Sequence, residues 1–437
     1  MTRWLGVFRK DRVVQFFRVL RRNGLREAMR RARVHIRALA LGVEPSAVSQ
    51  PAGPAPIANR FDFAPVWRDL AQVQAFGISQ APAVLMQRRA VALIGDLNLP
   101  QCRKYRVEQM DELLATEDIA YQYAHFEDVP RCREILQDAT HLVLYRLGRS
   151  DLATMYLYEA RRLRLPVLYD IDDPLFSVSA YETYANMEGL SPQEKAHFVN
   201  EAPLYADVMN MADAVSLSTP GLMAHASCYS VRPAYLRRNF ADRETLAAGA
   251  QAMSRRRRRT GPTVAVASGS RGHGADLAVI QDDLVTWLEG GSDRNVVLLG
   301  HLDRDGFPDS VRPQVSVTPF TRYSTYLGHL ASADAAIVPL ADDPFNRCKS
   351  SVRAIDAAAA GVPVLVSNVG DLNAVVRDGE TGLVVPEGGW GSALAHVLDQ
   401  ATMEQMGRNA RANIERRWSA HAAPPIVDPG LLRWVAA

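Results

Sequence analysis

From residue 89 onward, short apolar runs alternate with stretches in which apolar positions recur every three or four residues. AVALIGDL, HLVLYRL, PVLYDIDD and DAVSLST have strand length, and LATMYLYEARRLRL has helical spacing. CRKYRVEQMDELLATE fits a helix or a loop entering one. SRRRRRTGP (254–262) interrupts the pattern, which then restarts. TVAVASGS, NVVLLG, VSVTPF and AAIVPL read as strands. DLAVIQDDLVTWLEG, YSTYLGHLASA, residues 352–360 and GSALAHVLDQ read as helices. Apolar strands alternating with helices predict parallel sheets covered on both faces. Two such blocks predict an α/β chain of two facing, doubly wound Rossmann-like domains. Ligands are expected at the carboxyl ends of the strands, in the cleft between the sheets.

Before these blocks the pattern differs. Val13, Phe16, Phe17 and Leu20, then Leu25, Met29, Ala32, Ile36 and Leu39 after a break at Gly24, predict two amphipathic helices. Residues 1–42 carry twelve Lys or Arg against two acidic residues, a local charge of +10. That pattern fits a foot on an anionic membrane surface, and equally a solvated extension packed on the body. Residues 45–58 are rich in Pro and Ala and read as a linker. The expected organisation is a basic helical extension (1–44), a linker and ancillary segment (45–88), a first domain (89–253), an arginine-rich linker (254–261), a second domain (262–420) and a tail able to pack back on the first domain (421–437).

Composition narrows the partners. The net charge of +2 over 437 residues gives no global pull toward nucleic acid. The arginine run lacks the interleaved aromatics of a nucleic-acid surface, so no nucleic-acid partner is expected. Cys102, Cys132, Cys228 and Cys348 form no CxxC pair and have no His partner at zinc spacing, which favours free thiols in a reducing compartment. No apolar run approaches ~18 residues, and the N-terminus is too arginine-rich for a secretory signal. A cytoplasmic protein is expected, or one peripheral to the inner face of the membrane through residues 1–42.

The densest candidate chemistry lies in DPFNRCKSSVRAIDAAAAGVPVLVSNVGDLNAVVRDGETGLVVPEGG (343–389). The amides of Ser350, Ser351 and Val352 stand unpaired at a helix start, and Lys349 adds a cation beside them. Together they suit a diphosphate. Asp356, one turn further in, suits ribose hydroxyls. Ala357–Ala360 keep the helix slim against the sheet, and Gly361 ends it. A second loop, ASGSRGHGAD (267–276), sets Gly269, Gly272 and Gly274 with Arg271 and His273 between a strand and a helix. It fits an anion cradle, and equally a plain tight turn. DIDD (170–173) places three carboxylates at a strand end; a metal site, acceptor orientation and a helix cap all fit it.

These residues carry a family resemblance. DAAAAGVPVLVSNVGDLNAVVRDGETGLVVP resembles the donor-site segment of the retaining, family-4-like glycosyltransferases with the GT-B fold. SGSRGHGAD, CRKYR and YDIDDPLF resemble elements of a bacterial glycan-biosynthesis branch of that family. The likeness spans roughly residues 89–420. It implies transfer of a sugar from a nucleotide-sugar donor to a glycan, lipid-linked or protein acceptor, with retention and without a bridging metal or other cofactor. It also implies a ribose contact for Asp356, and diphosphate contacts for Arg271 and Lys349 near Gly269 and His273. Arg322 and Tyr323 fall near the base, and Asn346 or Lys349 would take over a sugar contact. The family's first signature acid is here Cys348. Asp172 stands where many relatives have a His, and Asp172 or Asp173 would orient the acceptor. Arg103, Tyr105, Arg106 and Arg146 are expected to face the cleft on the acceptor side. The missing acid leaves a binding-only pseudoenzyme open, and the fold leaves a sugar-nucleotide epimerase open.

Overall fold

The structure is a computed structural model that describes residues 88–256, 260–269 and 274–436, together with Leu25 and Met29. The predicted extension and linker therefore lie outside the described residues apart from those two. In the first lobe, β1 (Ala90–Gly95), β2 (Ala120–His125), β3 (His141–Tyr145), β4 (Val167–Ile171), β5 (Ala214–Leu217) and β6 (Ala234–Leu236) form one sheet in the order β2-β1-β3-β4-β5-β6. In the second lobe, β7 (Thr263–Ser268), β8 (Asn295–Gly300), β9 (Val315–Pro319), β10 (Ala335–Val338), β11 (Val364–Ser367) and β12 (Gly382–Val385) run β12-β11-β10-β7-β8-β9. All the pairings are parallel. HLVLY in β3 and VLYDI in β4 are buried at every position, because helices cover both faces. The predicted fold of two doubly wound domains is what forms.

Strand order fixes where a ligand can sit. Each sheet reverses direction once, between β1 and β3 in the first lobe and between β7 and β10 in the second. The crevice outside the carboxyl ends at such a point is open to a ligand because the flanking crossovers run to opposite faces. The loops after β7 and β10 are those of the glycine run and of Lys349. The short helix Pro100–Cys102 after β1 carries Gln101, and the loop after β3 carries Arg146.

Several helices matter for the site. A π-helical turn (Arg103–Glu108) enters α1 (Gln109–Ala115) and buries four successive residues, Lys104 to Val107. Helix α2 (Pro220–Ala226) follows β5, and α3 (Arg243–Ser254) follows the crossing between lobes. Helix α3 packs on α5 (Tyr323–Ala331) and α6 (Val352–Ala359) of the second lobe, so the chain has already left the first sheet before the arginine run. Residues 257–259 of that run lie outside the described residues. In α6 the alanines are buried, and a Cβ on Gly249 of α3 would lie 2.1 Å from the Ala359 carbonyl oxygen. Helices so close tolerate only small residues. Gly361 closes α6 at φ +68°, where glycine has no Cβ penalty. The last helix, Pro429–Ala436, packs on the first lobe, with Leu431 and Val435 in its core. No helix among the described residues is long and apolar enough to cross a membrane.

Candidate active site between the lobes

Strand β10 ends in the loop 339–351, whose last turn (Asn346–Cys348) turns Lys349 toward the first lobe. The Lys349 ammonium donates to the Tyr184 hydroxyl at 2.7 Å and lies 3.6 Å from the Asp276 carboxylate. It sits 4.8 Å from the Tyr184 ring centre and 5.7 Å from that of Phe345, and its side chain is 13 % exposed. Burial pushes its pKa down to about 8; Asp276, Asp173 and Asp343 oppose the fall and Arg353 adds to it. A cation expected to meet a ligand thus stands between the lobes, ringed by carboxylates from both.

Asp276 is the hub on the second-lobe side. It lies in α4 (Gly274–Ala278), and its carboxylate accepts from Asn346 Nδ2 at 3.0 Å and from the Ala341 amide at 3.2 Å. Asn346 is fully buried and also donates to Asp343 and to the Ala341 carbonyl. Its amide nitrogen braces the loop, while its side-chain oxygen has no partner among the described residues. Asn186, from the first lobe, accepts from the Ala275 and Asp276 amides at 3.0 and 3.3 Å. Gln101, also of the first lobe, donates to the Gly269 carbonyl at 3.1 Å, so Gly269 does face the cleft. Arg271 and His273 lie outside the described residues.

On the first-lobe side DIDD divides into two parts. Asp170 is fully buried between two guanidiniums: Arg106 at 2.6 and 2.9 Å and Arg237 at 3.0 and 3.1 Å, with Ser216 Oγ donating at 2.7 Å. Burial alone would raise Asp170, but the two arginines outweigh it and hold it below the usual carboxylate range. Arg106 is therefore a structural cation inside the lobe, not an acceptor contact. Asp172 and Asp173 sit together at the strand end, with Arg146 Nη1 at 3.2 and 3.5 Å and the Cys102 sulfur 3.3 Å from the same nitrogen. Arg146 takes φ +51°, a costly conformation for a residue with a Cβ, at the switch point of the first sheet. Burial, then Asp172, push Asp173 upward against Arg146 and Lys349. Among the described residues no trio of carboxylates, histidines or cysteines gathers to hold a metal.

Asp356 is buried, with its carboxylate engaged by the hydroxyls of Tyr105 from the first lobe and Tyr323 from the second, the latter at 2.6 Å. Burial pushes it up to about 6, against the two phenols. Lys104 stacks 4.4 Å over the Tyr323 ring and pairs with Asp242 and Glu244. Thus Asp356 and Tyr323 clasp the lobes together through Tyr105; in this arrangement neither acid nor phenol is turned to a ribose or a base. Tyr105 does reach the other lobe, where its hydroxyl is engaged with Asp356. Arg322 is the exposed residue just ahead of α5. Arg103 binds its own lobe, through Glu108 at 2.8 Å and Tyr123 at 3.1 Å.

The α6 start is assembled partly by the other lobe. Ser350 accepts from Asn239 at 3.0 Å, Ser351 donates to the Asp371 carbonyl at 2.5 Å instead of capping the helix, and Val352 is the first helical residue. Thr219 donates to the Cys348 carbonyl at 2.8 Å. Cys348 and Phe345 pack into the first lobe's apolar core. Tyr184, Asn186, Asp276 and Arg353 were not singled out from the sequence. Asp276 ends the SGSRGHGAD element, which offered a signal; Tyr184 and Asn186 lie in an irregular segment with no periodicity to mark them.

With the geometry in place, comparisons with known proteins bear on it. Residues 281–402 match the model of a family described as "Glycosyl transferases group 1". A D-inositol 3-phosphate glycosyltransferase of Nocardia farcinica is 36% identical over 101 residues, 22% of this chain and 21% of that protein. A glycogen synthase of Mycobacterium tuberculosis is 37% identical over 105 residues, 22% of this chain and 24% of that protein. The matches thus span about a fifth to a quarter of those relatives. The solved sucrose-phosphate synthase of Thermosynechococcus elongatus superimposes with a TM-score of 0.51 at 17% identity, covering 75% of this chain and 94% of that one. Its likeness establishes the fold: two Rossmann-like domains in the GT-B arrangement.

Proposed function

We propose that the protein is a glycosyltransferase that moves a sugar from a nucleotide-sugar donor to an acceptor hydroxyl in the cleft between the lobes. The observation that carries this reading is the Lys349 ammonium, partly dehydrated and held between the lobes at the switch point of the second sheet, in a segment that matches the glycosyltransferase family. In the reaction the anomeric C–O bond breaks and its electron pair leaves on the nucleoside diphosphate. The acceptor oxygen bonds to the anomeric carbon, and its proton passes to a departing diphosphate oxygen. Lys349 stabilises the charge that grows on that oxygen; one such donor typically contributes ~3–4 kcal/mol to the transition state. Asp172 and Asp173, steadied by Arg146, orient the acceptor hydroxyl. Lys349 takes the charge-neutralising place that a bridging metal would otherwise fill, and the family resemblance implies retention of configuration, with the acceptor approaching from the leaving-group face.

The acceptor class is a glycan, lipid-linked or protein hydroxyl, with an anionic membrane surface as a further partner of residues 1–42. A thermal-shift panel of nucleoside diphosphates and their sugars tests the donor reading, because selective ligands raise apparent stability by mass action. A shift for one base, with transfer from its sugar nucleotide to an added acceptor, is the expected result. Binding without transfer would favour a pseudoenzyme, and isomerised donor an epimerase.

A further inference from the structure

Tyr184 makes the shortest contact of the Lys349 ammonium, at 2.7 Å. Its ring lies parallel to that of Phe345, at 4.2 Å between centres and 9° between planes, and Tyr181 packs on Phe345 from 5.5 Å. Phe345 belongs to the second lobe and Tyr184 to the first, so this stack forms only when the lobes meet. The same short segment supplies Asn186, which holds the backbone of Asp276, the nearest carboxylate to Lys349. Two residues of one first-lobe turn thus set the cation and its counter-ion.

Given the donor reading, we propose that Tyr184 is a positioning residue for the sugar-transfer reaction: its hydroxyl, delivered by lobe closure, accepts a hydrogen bond from the Lys349 ammonium and aims it at the donor diphosphate. The phenol stays protonated, because burial and then the nearby Asp276 raise it. Its oxygen therefore accepts from the ammonium while its own proton remains available to a diphosphate oxygen. An ammonium has three donors. Tyr184 engages one of them, and Asp276, at 3.6 Å, pairs with the charge from beyond hydrogen-bond distance, so donors remain for the ligand. The charged groups facing Lys349 are Asp276 of α4, Arg353 of α6, Asp343 of its own loop and Asp173 of the first lobe. All are fixed in the structure, so removing the Tyr184 hydroxyl changes the acceptor of the ammonium and leaves those charges in place.

The substitution Tyr184→Phe keeps the stack on Phe345 and deletes only the oxygen. On the full chain, nucleoside diphosphate affinity measured by isothermal titration across pH 6.5–9.5 is the readout, beside wild type and Lys349→Met. Wild-type affinity is expected to fall as pH rises through about 8, where the free ammonium loses its proton. The Tyr184→Phe protein is expected to bind about tenfold more weakly at pH 7.5. Its alkaline limb should also move to lower pH, since loss of an acceptor disfavours the charged amine. A merely structural tyrosine would not move that limb. Equal affinity and an unshifted limb, with Lys349→Met still impaired, would overturn the positioning role and leave the donor reading standing. No diphosphate binding by wild type would overturn both.

Discussion

Position 348 shows how one residue records its surroundings. The family's first signature acid is absent there, and the Cys348 side chain points into the apolar core of the opposite lobe. Burial, then Asp173 and Asp343, push its thiol up to about 12. A carboxylate at this place would be dehydrated and would face two others. Cys348→Glu is therefore expected not to restore a missing function but to destabilise the protein by about 3–5 kcal/mol, the usual cost of an unpaired buried charge. Urea unfolding measures it; a variant as stable as wild type would mean that the side chain can turn toward solvent. This environment was not readable in the sequence, because it depends on a contact between residues far apart in the chain. Lys349 was legible: a cation just before a helix start needs only local geometry. Arg106 was misread for the opposite reason. Polar residues after a strand usually face solvent or ligand, and nothing local announces that Asp170 and Arg237 enclose this one.

Among elements, α2 and the turn 346–348 control how closely the lobes approach. A Cβ on Gly221 would lie 2.3 Å from the Arg347 carbonyl oxygen, which is backbone and cannot swing away. Gly221→Ala is expected to push the lobes apart locally, lengthen the Thr219–Cys348 hydrogen bond and lower kcat/KM by about a hundredfold, as misplacements near 1 Å do. Steady-state kinetics, with circular dichroism to confirm the fold, would detect it; unchanged kinetics would free this contact from any part in closure. The sequence carried most of the strands because buried parallel strands are continuous apolar runs. It did not show β2, whose AYQYAH mixes polar and aromatic residues on an edge strand, or β6, which has only three residues. The 18-residue helix Gln400–Arg417 was also hidden, since so few of its positions are apolar.

At the scale of the molecule, the clasp of Tyr105 and Tyr323 on Asp356 links the lobes through a titrating group. The Asp356 carboxyl is raised from the ordinary 3.8 to about 6, so the folded, closed protein binds its proton more tightly than the unfolded chain does. By linkage this contribution to stability is fully present below about pH 4 and is lost as pH rises through about 6. Asp356→Asn, which cannot titrate, is expected to remove that slope. Stability curves measured from pH 4 to pH 7 should converge toward low pH, with the wild type falling relative to the variant as pH rises. Parallel curves would show that the carboxyl titrates normally and that the clasp is open in solution. The two-lobed fold was foreseeable from the alternation of elements, whereas this clasp was not, because Tyr105 and Asp356 are 251 residues apart and meet only when both sheets are complete.

The central claim is that Lys349 grips a diphosphate between the lobes. Isothermal titration of nucleoside diphosphates into wild type and Lys349→Met, at pH 7 where the amine is charged, tests it most directly. Saturable binding by wild type, weakened at least tenfold in the variant at unchanged melting temperature, is the predicted result. Equal binding by both proteins, or none by the wild type, would contradict it.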